Sequence, residues 1–146
     1  FGENELIEAA VNQMRKLPYY HSFTGKTCEA TIKLSEKLIE IAPNNLKKVF
    51  FCNSGSEAND TAIKLVWYYH HAIGKPEKCK IIGRKMGYHG STVAAVSLSG
   101  KDDMHADFGL PLDRFLHTDF PHFYRNHIAQ VKIYRLSFYY RLKSNS

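Results

Sequence analysis

Apolar residues first recur at Leu6, Ile7, Ala10, Val11, Met14 and Leu17. These are the three- and four-residue steps of a helix with one apolar stripe, and Pro18 ends the run. After the loop PYYHSFTGKT the same period returns from about Glu29 to Ala42, with Ile32, Leu34, Leu38 and Ile41 apolar and Pro43 as the stop. The pattern then changes. In KKVFFCN the positions from Val49 to Cys52 are continuously apolar, which predicts a strand covered on both faces. Beyond NSGS, helical spacing resumes at Ala58, Ala62, Leu65, Val66 and Tyr69 and closes at Gly74 and Pro76. CKIIGR predicts a second short strand, MGYHGST a compact turn, and STVAAVSLSG the start of a further helix.

Strand, polar turn, helix, strand, polar turn is the order of an α/β chain with a parallel sheet and helical crossovers. Ligands of such sheets bind beyond the carboxyl ends of the strands. Both polar turns, NSGS and MGYHGST, are expected at such ends.

The first turn carries a specific chemistry. Ser54 followed three residues later by Glu57 is a capping box, which makes Ser54 the N-cap and puts Gly55 and Ser56 in the first helical turn. Their amides then lack helical acceptors, the helix dipole is positive there, and the Ser56 hydroxyl adds a donor, so the turn suits a phosphate. An isolated capping box more often starts a helix that binds nothing. Two phosphate signatures are absent: no GxxxxGK followed by Ser or Thr, and no GxGxxG, which argues against nucleoside triphosphates and NAD.

Composition narrows the picture. The 146 residues are 44% hydrophobic and 23% charged, as in one globular domain with a packed core. The net charge of +6 suggests nucleic acid until its location is considered. Residues 1–124 carry 15 Lys and Arg against 14 Asp and Glu, while the five basic residues from Arg125 onward have no acidic neighbour. The body is therefore nearly neutral, with its charges interleaved as on a solvated face. Neither nucleic acid nor a membrane is an expected partner. With no apolar run long enough to span a bilayer and no signal-peptide pattern in FGENELIEAA, the cytoplasm is the expected compartment. Cys28, Cys52 and Cys79 form no CxxC pair and are expected to be reduced, mostly buried thiols. His70 and His71 are adjacent and point in different directions on a helix, so they are expected at the surface rather than on a metal, as are His117 and His122.

Five stretches in order, LPYYHSFTGKT, VFFCNSGSEANDTAIKL, GKPEKCKIIGRKMGYHGSTVAAVSLSG, MHADFGLPL and FLHTDFPHFYR, closely resemble the class III aminotransferases, in particular their omega-amino acid:pyruvate transaminase branch. SGSEAN and GYHGST with GKPEK between them are the most specific part, and the likeness spans about residues 3–125. The resemblance implies a pyridoxal 5'-phosphate enzyme moving an amino group from an amine or omega-amino acid to pyruvate or a similar keto acid. It implies the aspartate aminotransferase-like large domain, fold type I, with a parallel-rich sheet, and a homodimer with active sites at the subunit interface. It places Ser54, Gly55 and Ser56 on the cofactor phosphate, Tyr88 stacked on the pyridine ring with His89 beside it, and Tyr20 and Phe23 near the substrate pocket. It also implies a Schiff-base lysine and an aspartate on the pyridine nitrogen. Neither maps to this chain, since Lys64 and Lys101 lack the surrounding motif.

The last stretch, HIAQVKIYRLSFYYRLKSNS, has no acidic residue and no recognisable counterpart. Residues 1–125 are thus expected to be part of a cofactor-binding domain. Residues 126–146 are expected to be foreign sequence from a shifted or prematurely ended reading frame. Such a fragment is expected to be inactive alone. The alternative from another class is a catalytically dead anion-binding module with a basic interaction tail.

Overall fold

A computed structural model describes residues 1–122 of the chain, so expectations for the basic tail lie outside the described residues. The chain divides into two units, Phe1–Phe51 and Cys52–Ser146. In the first, the amphipathic runs fold as helix α1 (Asn4–Lys16) and helix α2 (Glu29–Ile41). Ala42 is the C-cap of α2 rather than its last turn. Neither helix buries a residue. Leu6, Ile7 and Met14 on α1 and Ile32, Leu34 and Ile41 on α2 stay exposed. What ties the helices is charge. Glu29 at the start of α2 accepts from Lys16 at the end of α1 and pairs with Lys33 one turn on at 2.8 Å. The Lys16 ammonium, and after it Lys33, holds the Glu29 carboxyl down at about 2. Cys28 is the N-cap of α2, and its hydrogen bond with the Thr31 hydroxyl at 3.2 Å lowers its thiol below the usual range.

The strand predicted around Val49–Cys52 does not form. Residues 47–52 have no strand structure, and Phe50 and Phe51 are exposed. A continuous apolar run becomes a strand only when a neighbouring backbone takes its hydrogen bonds and other layers cover its faces. Among the described residues no backbone pairs with this run, and only Val49 and Cys52 are half-buried.

The second unit holds the core. Helix α3 (Gly55–Ala72) packs against helix α4 (Val93–Leu98), and α4 lies on a two-stranded parallel sheet of β1 (Ile81–Arg84) and β2 (Phe115–Thr118). Ile81 pairs with Phe115 and Arg84 with Thr118. Ile63, Ala95, Val96 and Phe115 form the buried apolar centre. Trp67 of α3 meets Phe115 edge-on, with ring centroids 6.5 Å apart, and donates to the Cys79 carbonyl at 2.8 Å. Close approach explains Gly83: a methyl group there would sit 2.2 Å from the Leu98 carbonyl oxygen, so only glycine lets α4 rest on β1. A 3-10 turn, Asp102–Met104, leads from α4 towards β2.

β2 was not foreseen from sequence, because FLHT is four residues long with no turn signal of its own. Two expectations about side chains also need correction. All three cysteines are free but half-buried rather than buried. His117 is not a surface residue: it is half-buried on β2 and its Nε2 donates to the Leu98 carbonyl at 3.2 Å. His105, buried, donates likewise to the Val96 carbonyl at 2.8 Å, a second bond beside the one that carbonyl takes from the Ser99 amide, so two imidazoles dock on the last turn of α4. His70 is half-buried as well.

Candidate cofactor site

The turn before α3 folds as its sequence predicts. Ser54 is extended (φ −153°, ψ 162°) and its Oγ accepts from the Glu57 amide at 3.2 Å. The Glu57 carboxylate reaches back and accepts from the Asn53 amide at 3.0 Å and the Asn53 side chain at 3.2 Å. The serine half of the box is therefore made, while the glutamate reaches one residue past the cap, to Asn53 rather than to the Ser54 amide. It also turns the Glu57 charge onto Asn53.

The next two amides, of Gly55 and Ser56, have no acceptor among the described residues. They stand at the positive end of an 18-residue helix, and the space a side chain would occupy at Gly55 is open. The Ser56 Oγ accepts from the Ser91 amide at 3.0 Å. That bond uses a lone pair, and leaves the hydroxyl proton available to a ligand. Free amides, a free hydroxyl proton, a dipole and an open approach fit a phosphate monoester.

The second turn, after β1, is brought against the first. Gly90 is buried with φ +138°, and a methyl group there would meet the Ser56 Oγ at 2.4 Å and the Ala95 Cβ at 2.9 Å. Two backbones thus come together where the sequence has glycine. Around this contact, Asn59 donates to the His89 carbonyl at 2.6 Å, and the Thr92 hydroxyl donates to the Asp60 carboxylate at 2.8 Å. The His89 amide donates to the Ser99 Oγ at 2.8 Å. Tyr88 keeps 61% of its surface exposed, so a broad aromatic face is open to a ligand.

Of the residues singled out from sequence, Ser54, Gly55, Ser56, Tyr88 and His89 all lie in the two turns of the second unit. Tyr20 and Phe23 belong to the loop between α1 and α2 in the first unit, where both are exposed. Only the second turn follows a strand; the first follows the unpaired run 47–52. Asn59, Asp60 and Ser99 escaped the sequence reading, since bonds spanning 30, 32 and 10 residues leave no local pattern. No group of three His, Cys, Asp or Glu among the described residues could hold a metal ion. No described helix is long and apolar enough to cross a membrane.

Comparison with known proteins adds a consistent picture. The family described as Aminotransferase class-III matches residues 1–138. A probable gamma-aminobutyrate transaminase 2, mitochondrial, of Oryza sativa subsp. indica is 51% identical over 125 residues, which is 85% of this chain and 25% of that protein. The vanillin aminotransferase of Capsicum frutescens is 49% identical over 128 residues, 87% of this chain and 28% of that protein. The crystal structure of the omega transaminase from Pseudomonas jessenii in complex with PMP superposes with a TM-score of 0.83 at 53% identity, covering 88% of this chain and 28% of that one. The chain spans about a quarter of the length of the curated relatives it matches.

Proposed function

The chain belongs to the class III aminotransferases, and from that premise we propose that it supplies the phosphate-holding and ring-stacking part of a transaminase. The substrates are an amine or omega-amino acid and pyruvate or a similar keto acid. The observation that carries this reading is the Ser54-capped helix start, with the free amides of Gly55 and Ser56 held beside the Tyr88–His89 turn.

Pyridoxal 5'-phosphate, when bound, supplies an electron sink for cleavage of bonds at the amino-bearing carbon. The chain's own residues bind and orient. The amides of Gly55 and Ser56 and the Ser56 hydroxyl take the phosphate, and Ser54 keeps the helix start in shape. The Tyr88 ring would stack on the pyridine ring, with His89 beside it, and stacking of this kind contributes on the order of 1 kcal/mol beyond burial. Tyr20 and Phe23 contribute to the substrate pocket. The working state is a homodimer. For compartment we propose the cytoplasm, although the rice relatives are named mitochondrial.

Alone, the chain holds the cofactor without turning it over, because none of its lysines stands in the sequence motif that the resemblance requires of a Schiff-base lysine. The test titrates labelled chain with pyridoxal 5'-phosphate and with pyridoxal, following the amide resonances of Gly55 and Ser56. Both should shift with the phosphate ester alone. Adding an amine donor and pyruvate should then yield no alanine above the free-cofactor rate. Equal shifts with both compounds, or none with either, would sink the reading of the turn. Turnover with one stoichiometric borohydride-trapped lysine would sink the inactivity.

A further inference from the structure

Three side-chain bonds join the start of α3 to the turn after β1, and they are regularly placed. Asn59 holds the carbonyl of His89, Ser56 holds the amide of Ser91, and Asp60 holds the hydroxyl of Thr92. Adjacent residues on one helix therefore grip both ends of the segment His89–Thr92, while Ser56 takes its middle. Ser99 secures the remaining polar group of the His89 backbone, its amide. Gly90, with no room for a methyl group against Ser56, keeps the two backbones at contact distance.

We propose that Asn59 and Asp60 are positioning residues for the cofactor: they set the Tyr88 ring at a fixed distance from the Gly55 and Ser56 amides. The inference rests on the functional reading above. Its chemical logic is one of two-point fit. A phosphate alone needs only the helix start, whose Gly55 and Ser56 amides are set by the Ser54 cap, the second turn touching it there only through the Ser91 amide on the Ser56 Oγ. A pyridoxal phosphate has a ring and an ester group joined by a short rigid spacer, so it gains from both contacts only if they are correctly spaced. Tyr88 is the residue directly before His89, whose amide and carbonyl are both held, so its Cα is fixed through the chain.

The experiment compares inorganic phosphate with pyridoxal 5'-phosphate on the full chain, as wild type and as Asn59→Ala, Thr92→Val and Thr92→Ser. Hydrogen exchange over residues 87–92 is measured in the ligand-free proteins. Asn59→Ala and Thr92→Val should speed exchange in that segment and weaken the pyridoxal ester about tenfold. Inorganic phosphate should change by less than about twofold, and Thr92→Ser, which keeps the hydroxyl, should behave as wild type. Trp67 emission checks that the second unit is folded. If Asn59→Ala unfolds it, the Thr92 pair decides alone. Unchanged exchange, or equal losses for the two ligands, overturns the positioning role while leaving the functional reading intact. Wild-type chain that binds neither ligand overturns both.

Discussion

α1 carries a clean apolar stripe and buries none of it, whereas α3, with a less ordered stripe, buries Ile63 and sets Trp67 against Phe115. The two helices belong to different units, and the difference lies in what each unit offers as a neighbour. In the first, α1 and α2 are linked through Lys16, Glu29 and Lys33, all exposed. In the second, the parallel crossover packs α4 between α3 and the strands β1 and β2, Phe115 of β2 meets Trp67, and side-chain bonds join α3 to the turn after β1. Periodicity thus identifies a helix. It does not supply the surface the helix needs.

This contrast can be broken or sharpened by substitution. The largest effect is expected from Phe115→Ala, which opens a hole beside Trp67 and should cost about 3–5 kcal/mol. Leu6→Ala, at an exposed site on α1, should cost less than about 0.5 kcal/mol. Urea unfolding followed by emission of Trp67, the chain's single tryptophan, reads the second unit for both variants. Similar losses would mean the units share a core.

Gly90→Ala comes next. It combines a φ of +138° with a methyl group 2.4 Å from the Ser56 Oγ, so a loss of about 2–3 kcal/mol is expected in the same unfolding assay. A neutral result would show that the two turns can part without consequence for the fold. Ser54→Ala removes the cap of α3 and should cost about 1 kcal/mol, with Ser54→Thr close to wild type.

The smallest effect belongs to the first unit and depends on pH. Glu29 is held at about 2, below the ordinary 4.5, so its ion pairs stabilise the folded unit fully above about 4.5. That contribution fades as pH falls towards 2. Both partners are exposed, which keeps it small. Helical circular dichroism should decline through this window in wild type more than in Glu29→Gln, with Trp67 emission unaffected by the substitution. Identical curves would remove Glu29 from the account.

The helices and the capping box were legible because their determinants are local: Pro18 and Pro43 as stops, Ser54 and Glu57 three residues apart, Gly74 with φ +73° at the end of α3. The resemblance to class III aminotransferases was legible because SGSEAN and GYHGST are short and contiguous, and family membership followed. What could not be read was pairing. Val49–Cys52 has a strand's composition but no partner among the described residues, and Phe115–Thr118 has a partner but almost no composition signal. The same limit applies to Asn59 and Asp60, which in sequence are two polar residues on a helix.

The bond from Asn59 to His89 also has a meaning in time. Its partners are 30 residues apart, so at about 5–20 residues per second they leave the ribosome roughly 2–6 s apart. Helix–coil exchange takes under about a microsecond. During synthesis the start of α3 therefore samples its helical form on the order of a million times before the carbonyl it will hold emerges, and the turn after β1 arrives as the late partner that selects it.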